Sequence, residues 1–375
     1  MDAMSPRPLP PADPHRQARA RASLSQPAPR FDTLSREWVD DGWQPPEEAQ
    51  VVRRDVTTER PRSVISWNRS PDLGFDRALN PYRGCEHGCI YCYARPTHAY
   101  LGLSPGLDFE TRLIARPDAP AVLARELGRK GYRVAPLALG SNTDPWQPVE
   151  AERRITRAVL VVLRDWRHPV TITTRAALIE RDIDILAQMA ALGLAEVGIS
   201  LSTLDAGLAR AMEPRAPAPA RRLRTIAALR AAGIPVRLML APVIPGLTDH
   251  EVERVMTAAR EAGAQAAWWS LLRLPHEVAP LFRDWLARQM PERAERVMRA
   301  VRATRGGAEN AARFGARFRG EGPEAALIAR RVALMRRRLD YAERLPPLNC
   351  KAFRPPEDTR RGKATGDTDA QLSLF

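Results

Sequence analysis

From Leu79 onward, short apolar runs alternate with amphipathic stretches, and glycine closes most of the latter. This alternation constrains the fold more than any other feature of the chain. The strand-like runs are residues 134–139, which are apolar, 170–173, which are β-branched, and 196–201, 236–240 and 266–271. Helical patterns lie between them at 119–130, 152–165, 182–192, 220–232 and 250–262. Gly131, Gly193, Gly233 and Gly263 follow directly, where a helix C-cap favours a residue tolerant of left-handed backbone. Short buried strands joined by helices make βα units and a parallel sheet. With the segment Arg77-Ala78-Leu79-Asn80 ahead of them, the units number six. Six units suggest an α/β fold closer to a curved, incomplete barrel than to an open doubly wound sheet. Periodicity alone does not choose between the two. No solenoid-type repeat is visible.

Three of the four cysteines lie within eight residues, as Cys85-Glu-His-Gly-Cys89-Ile-Tyr-Cys92. Three thiolates on one short loop can hold a 4Fe–4S cluster and leave one iron without a protein ligand, whereas such clusters usually take a cysteine on each iron. The open iron is then a coordination site for a substrate or cofactor. A structural zinc ion is the competing reading. Zinc wants four protein ligands, and only His87 or His98 is near enough in sequence to be the fourth. A disulfide framework is excluded, because three cysteines are crowded together and Cys350 is remote. Clustered cysteines without a secretory pattern point to a reducing, cytoplasmic setting. The N-terminal stretch has arginines and prolines but no apolar signal segment, and the longest apolar runs are far too short to span a bilayer.

At 375 residues, one catalytic domain with appendages fits better than two equal domains. Residues 1–60 are rich in proline, arginine and glutamate and are expected to be disordered, with order beginning near Val64. The barrel is expected over 61–275, a helical, basic extension over 276–350, and a flexible tail over 351–375. In the extension Arg293, Arg296, Arg299 and Arg302 recur at three-residue spacing, with Val297, Met298 and Val301 on the other face. The loop that follows carries Arg313, Arg317 and Arg319. The formal net charge is +14 and the pI about 10.6, almost all of it from arginine. Phosphate-backbone binding is one reading of that charge. An arginine bias of genome composition, leaving a solvated basic face, is the other.

Cys85-x3-Cys89-x2-Cys92, with Tyr91 just before the last cysteine, resembles the signature loop of radical S-adenosylmethionine (SAM) enzymes. The resemblance implies a partial (β/α)6 barrel with the loop after its first strand. It implies a 4Fe–4S cluster on the three cysteines, with SAM chelated to the open iron. It further implies reductive cleavage of SAM to a 5′-deoxyadenosyl radical, with an electron donor such as flavodoxin or ferredoxin. The segments Ala138-Leu-Gly-Ser141-Asn-Thr-Asp144, Glu196-Val-Gly-Ile-Ser200-Leu-Ser202, Glu213-Pro214 and Leu240-Ala-Pro242-Val-Ile-Pro245-Gly246 are similar to the spore-photoproduct-lyase-like group, which carries a DNA-repair label. The resemblance covers roughly residues 64–275. By position in these motifs, Gly140, Ser141 and Asn142 would meet the SAM amino group and Arg175 its carboxylate. Ser200 and Ser202 would meet the ribose, and residues 242–246 the adenine. Strand C-terminal ends, where parallel barrels build their sites, agree with these positions.

The chain also departs from that group. Spore photoproduct lyases place a hydrogen-donating cysteine near the end of the second strand, and this chain reads Gly-Ser-Asn-Thr-Asp there. Cys350 is the one thiol left to donate, against the ordinary reading of a buried or idle cysteine. Tyr93, one of several tyrosines crowding the loop, is a second candidate, against a packing role.

The last five residues, Gln371, Leu372, Ser373, Leu374 and Phe375, resemble the peptide by which bacterial DNA polymerases and repair proteins bind the replication sliding clamp. Leu374 and Phe375 suit an apolar pocket and Gln371 a second subsite, with the tail as tether. The expected function is a radical SAM enzyme acting on DNA, in repair or modification, held near the clamp. Arg313, Arg317 and Arg319 are candidates for phosphate contact. A radical SAM enzyme acting on RNA or a protein is the alternative, and a non-catalytic clamp-associated iron–sulfur protein is the third reading.

Overall fold

A computed structural model describes residues 21–23, 25–31 and 53–356. Ten strands are described: β1 (Asp55–Thr58), β2 (Ile65–Trp67), β3 (Arg77–Leu79), β4 (Tyr82–Arg83), β5 (Arg112–Ala115), β6 (Leu137–Leu139), β7 (Val170–Thr174), β8 (Ala195–Ser200), β9 (Val236–Val243) and β10 (Ala266–Leu271). The main sheet has the order β10-β9-β8-β7-β6-β3-β2. Every pair from β3 to β10 is parallel, and β2 lies antiparallel on the outer edge of β3. Six parallel strands in chain order, with helices between them, are the partial barrel expected.

Burial along the strands explains why the barrel is incomplete. Val170, Ile172, Val197, Ile199, Val236 and Leu238 are fully buried on the face that the helices cover. Their neighbours Thr171, Thr173, Glu196 and Arg237 are only half-buried. Arg237 donates to Glu196 at 2.9 Å and to Thr171 at 2.8 Å. The inner face is thus polar and partly open, whereas a closed barrel fills its interior with branched apolar side chains.

The helices fall close to the sequence-based positions, at Ala119–Leu127, Ile183–Ala191, Pro219–Ala231 and Val252–Glu261. The pattern at 152–165 is two helices, Glu150–Arg153 and Ile155–Asp165, parted by Arg154 at φ 52°. The Glu150 carboxylate accepts from the backbone N–H groups of Thr156 (3.0 Å) and Arg157 (3.2 Å), capping the second helix.

A smaller sheet, β1-β5-β4, carries the cysteine loop. Here part of the segment expected to lack structure is ordered. β1 pairs with β5 in parallel, and Arg21, Ala22 and Ser23 are buried. The extension is helical as expected, at Val278–Gln289, Ala294–Ala303 and Gly322–Arg338, with Val297, Met298 and Val301 inward. It is continuous with the barrel: Ala325, Ile328, Val332 and Met335 lie in the main core, and Arg331 pairs with Glu253. Among the described residues no helix is long and apolar enough to cross a membrane.

Candidate functional site

The cysteine loop leaves β4 at Gly84, so it stands at the C-terminal end of β3. Cys85 and Cys89 are buried and Cys92 is half-buried. Their conformation is set by Arg95, itself wholly buried. Its guanidinium donates to the carbonyls of Gly88 (2.8 Å), Cys89 (2.9 Å), Gly106 (2.9 Å) and Pro105 (3.1 Å). It also donates to Glu110 at 2.6 Å. Glu110 accepts in addition from the Ser23 N–H at 3.0 Å, which ties the N-terminal stretch to the loop. Gly88, at φ 65°, lies so near Glu110 that a Cβ would stand 2.6 Å from its Oε2.

Burial pushes the Cys89 thiol well up and the Cys92 thiol up, with Arg175 working in the opposite direction at both. Thiols so placed give up their protons on binding a metal. Among the described residues, no three His, Cys, Asp or Glu side chains converge as a lone metal ion requires. A cluster spreads its thiolates over separate irons, so this donor set fits a cluster better than zinc.

The turn after β6 closes against the loop. Asn80, one residue past β3, accepts from the N–H groups of Asn142 (3.0 Å) and Thr143 (3.3 Å) and donates to Ser141 Oγ (3.1 Å). Thr143 Oγ1 donates to the Gly84 carbonyl at 2.6 Å. Asp144 accepts from the Arg175 N–H (2.9 Å), Thr174 Oγ1 (2.7 Å) and the Trp146 N–H (2.9 Å). Its other neighbour is buried His87, 3.4 Å away. Burial works to raise the Asp144 carboxyl, but His87 and these donors hold it at about 2. Burial works to lower His87, but Asp144 and Cys85 raise it to about 9.

Gly140 is the residue the turn cannot change. Its φ is 88°, and a Cβ there would stand 1.9 Å from the Thr173 carbonyl oxygen. Gly140→Ala is expected to destabilise the fold by about 2–3 kcal/mol, from left-handed strain and overpacking together. A melting temperature equal to that of the wild type would show that the turn does not approach β7 this closely.

Arg175 stands at the end of β7 as expected, but its charge is already shared. Its guanidinium donates to Glu213 at 2.8 Å and to Tyr91 Oη at 2.9 Å. Glu213 is buried and also bonds Arg222 and Tyr91. Arg222 reaches the Ser200 carbonyl at 3.2 Å. Ser202 Oγ donates to the Ala241 carbonyl at 3.1 Å and lies 3.5 Å from Tyr91 Oη. Gly140, Ser141, Asn142, Arg175, Ser200 and Ser202 are therefore brought to the same end of the sheet as the cysteines.

Tyr93 joins them. Its hydroxyl bonds the Ser141 carbonyl, and half of the residue is exposed. Cys350 does not join them. Asn349 bonds Gly193 (2.8 Å), which precedes β8, and Phe353 packs on His168 and Trp166, which precede β7. That is the opposite end of the strands. A cavity of about 380 Å³ lined by Arg167, Leu194 and Arg354 lies at this far end, away from the chemistry. Gln371, Leu372, Ser373, Leu374 and Phe375 lie outside the described residues.

The three loop arginines are engaged within the chain. Arg313 pairs with Glu321, Arg317 with Asp72, and Arg319 donates to the Trp269 carbonyl. Asn80, Arg95, Glu110, Asp144 and Glu213 carry much of the site and had no role assigned from the sequence. Asp144 and Glu213 stand inside motifs noted there; nothing local marks Arg95 or Glu110.

Residues 79–259 match the Radical SAM superfamily. The domain defined by this fold and loop is thus similar to those of that superfamily over somewhat under half of the chain. Uncharacterized proteins of Mycobacterium tuberculosis and Mycobacterium bovis are each 38% identical over 226 residues, 60% of this chain and 66% of theirs. The chain thus spans just under two thirds of those relatives. An uncharacterized protein of Methanocaldococcus jannaschii is 25% identical over 178 residues, 48% of this chain and 64% of that one. A solved structure of spore photoproduct lyase is similar with a TM-score of 0.54 at 12% identity, over 78% of this chain and 82% of that one. At that identity the likeness concerns the fold, which is the partial barrel expected.

Proposed function

We propose that the chain is a radical SAM enzyme acting on DNA. The observation that carries the enzyme half is the meeting of three thiols, two of them buried, with the Gly140 turn and Arg175 at one end of a partly open barrel. Cys85, Cys89 and Cys92 would hold the 4Fe–4S cluster, which when bound supplies the electron for cleavage of SAM. The chain's own residues position and shield. Arg95 fixes the loop carbonyls, and Asn80 and Asp144 lock the strand-end turns around it. Arg175 offers a carboxylate a cation whose field is tempered by Glu213. The place of Tyr93 at the mouth favours it over Cys350 as the protein's hydrogen carrier.

The DNA half rests on the +14 charge and on the resemblance of residues 371–375 to a clamp-binding peptide. Reconstituted anaerobically with iron and sulfide, then given SAM and dithionite, the protein is expected to release 5′-deoxyadenosine. None under any reducing condition would remove the enzyme reading. The full chain is expected to bind a bacterial sliding clamp, and deletion of Phe375 to weaken this by roughly tenfold or more, since a buried aromatic anchor dominates such contacts. Equal binding with and without Phe375 would leave charge alone arguing for DNA.

A further inference from the structure

The mouth of the barrel carries a row of alternating rings and guanidinium groups. The Arg273 guanidinium lies 5.8 Å from the Tyr93 ring centroid and 5.0 Å from that of Phe318. Arg317 follows, 4.9 Å from Phe318 and 5.0 Å from Phe314. Arg273 comes just after β10 and Tyr93 just after Cys92, while the other three residues belong to the extension. Buried Arg305 fastens the two parts, donating to the carbonyls of Leu272 (2.6 Å), Ala316 (3.0 Å) and Arg317 (2.9 Å). The row is thus built into the fold. Its ends are open, with Phe314 59% and Tyr93 50% exposed.

The two cations differ. Arg317 is neutralised by Asp72 at 2.7 Å. Arg273 makes no hydrogen bond or ion pair with any described residue, and its Nε is buried without a partner. A guanidinium clamped between two rings, with the Asp72 carboxylate near it already bonded to Arg317, is a ready site for an anion. Exposed rings stack bases of any sequence while arginines take backbone phosphates, and that interleaving is how proteins track single strands. A duplex hides its base faces, and a polypeptide offers no matching alternation of anion and flat ring.

Building on the DNA reading above, we propose that Phe314, Arg317, Phe318, Arg273 and Tyr93 form a track for single-stranded DNA. Arg273 takes a phosphate, and the track leads an unstacked nucleotide to Tyr93 and the cysteine loop. Chemistry on a base requires it to leave the stack, which such a track favours.

The test is fluorescence anisotropy of the full chain with a labelled oligodeoxynucleotide of about 12 nucleotides, its RNA counterpart and the matching duplex. Salt is varied from about 50 to 200 mM. The single-stranded DNA is expected to bind tightest. Arg273→Gln is expected to weaken it about tenfold and to reduce the salt slope by about 0.7, the loss of one phosphate contact on a single strand. Phe314→Ala is expected to weaken it about fivefold or more with the slope unchanged, as a stacking contact should. Arg338→Gln removes an exposed charge toward the opposite end, near the contact of Ala342 with Ala266, and is expected to change neither. Thermal melts near the wild-type value establish that the variants are folded. Wild-type affinity and slope in both Arg273→Gln and Phe314→Ala would overturn the track and leave the DNA reading standing. Tighter binding of the duplex or the RNA would also overturn it. No binding to any DNA would remove the DNA reading, and the track with it.

Discussion

Replacing Arg95 with methionine is expected to cost about 3–5 kcal/mol and to leave the reconstituted protein with well under half its iron. The energetic part follows from what is stranded. Glu110 is wholly buried and pairs with Arg95 at 2.6 Å, while Arg21, the other cation near it, bonds its backbone carbonyl. Removing one member of such a pair leaves a charge in low dielectric with no water to solvate it. Four backbone carbonyls lose a donor at the same time. Two of them, at Gly88 and Cys89, belong to the loop that spaces the thiols. A loop free to turn those carbonyls toward water no longer presents three thiols together.

Arg95→Lys is not expected to rescue either property. A lysine offers one ammonium point where the planar guanidinium serves four carbonyls and a carboxylate at once. Glu110→Gln should be milder, because a neutral amide can still accept from Arg95 and from the Ser23 N–H. In the double variant Arg95→Met with Glu110→Gln, the loss should be smaller than the two single losses added, since both act on one pair. Calorimetry with iron analysis of the four proteins checks this. Wild-type iron content and stability in Arg95→Met would mean that the loop is held by something else.

The fold was more legible than the site, for identifiable physical reasons. β7, β9 and β10 stood out as apolar runs between glycine-closed helices, because burial against helices on one face leaves a local record. β1 left none. Three of its four residues are exposed, and it exists through backbone pairing with β5, with Asp55 opposite Arg112. The break at Arg154 was equally silent. Neither glycine nor proline marks it, and the cap on the next helix is the Glu150 carboxylate, fixed by Tyr82 and Arg181 from elsewhere in the fold. Among candidate site residues, the cysteines stood out by their spacing and Gly140 by its place in a motif, and the fold brings them to one end of the sheet. The charges were not. The sequence shows that Arg175 and Arg317 are cations. Only the fold shows that Glu213 and Asp72 have claimed them, and that Arg273, unremarked in the chain, has no such partner among the described residues.

Glu213 supplies the second large effect, because it is shared. Glu213→Ala removes the carboxylate that faces Arg222, which is 2% exposed, and Arg175 on its other side. The buried Arg222 guanidinium and the half-buried Arg175 guanidinium then both lose their shared carboxylate, beside Tyr91. The expected loss is about 3–5 kcal/mol, the range for breaking a buried pair from one side. Arg175→Met should behave differently. Glu213 keeps Arg222 and Tyr91, so the loss of stability is expected to be about 1–2 kcal/mol, a single charged hydrogen-bonding partner. If Arg175 meets the cofactor's carboxylate as proposed, affinity for SAM in the reconstituted protein should nevertheless fall about tenfold or more. Equilibrium binding of SAM and thermal melts on the same preparations separate the two roles. A large stability loss in Arg175→Met with unchanged SAM affinity would assign Arg175 to the architecture of the mouth. The anion at the cofactor would then have to be met by another residue, and Arg273, beside the Tyr93 ring and without a hydrogen bond or ion pair among the described residues, is a candidate.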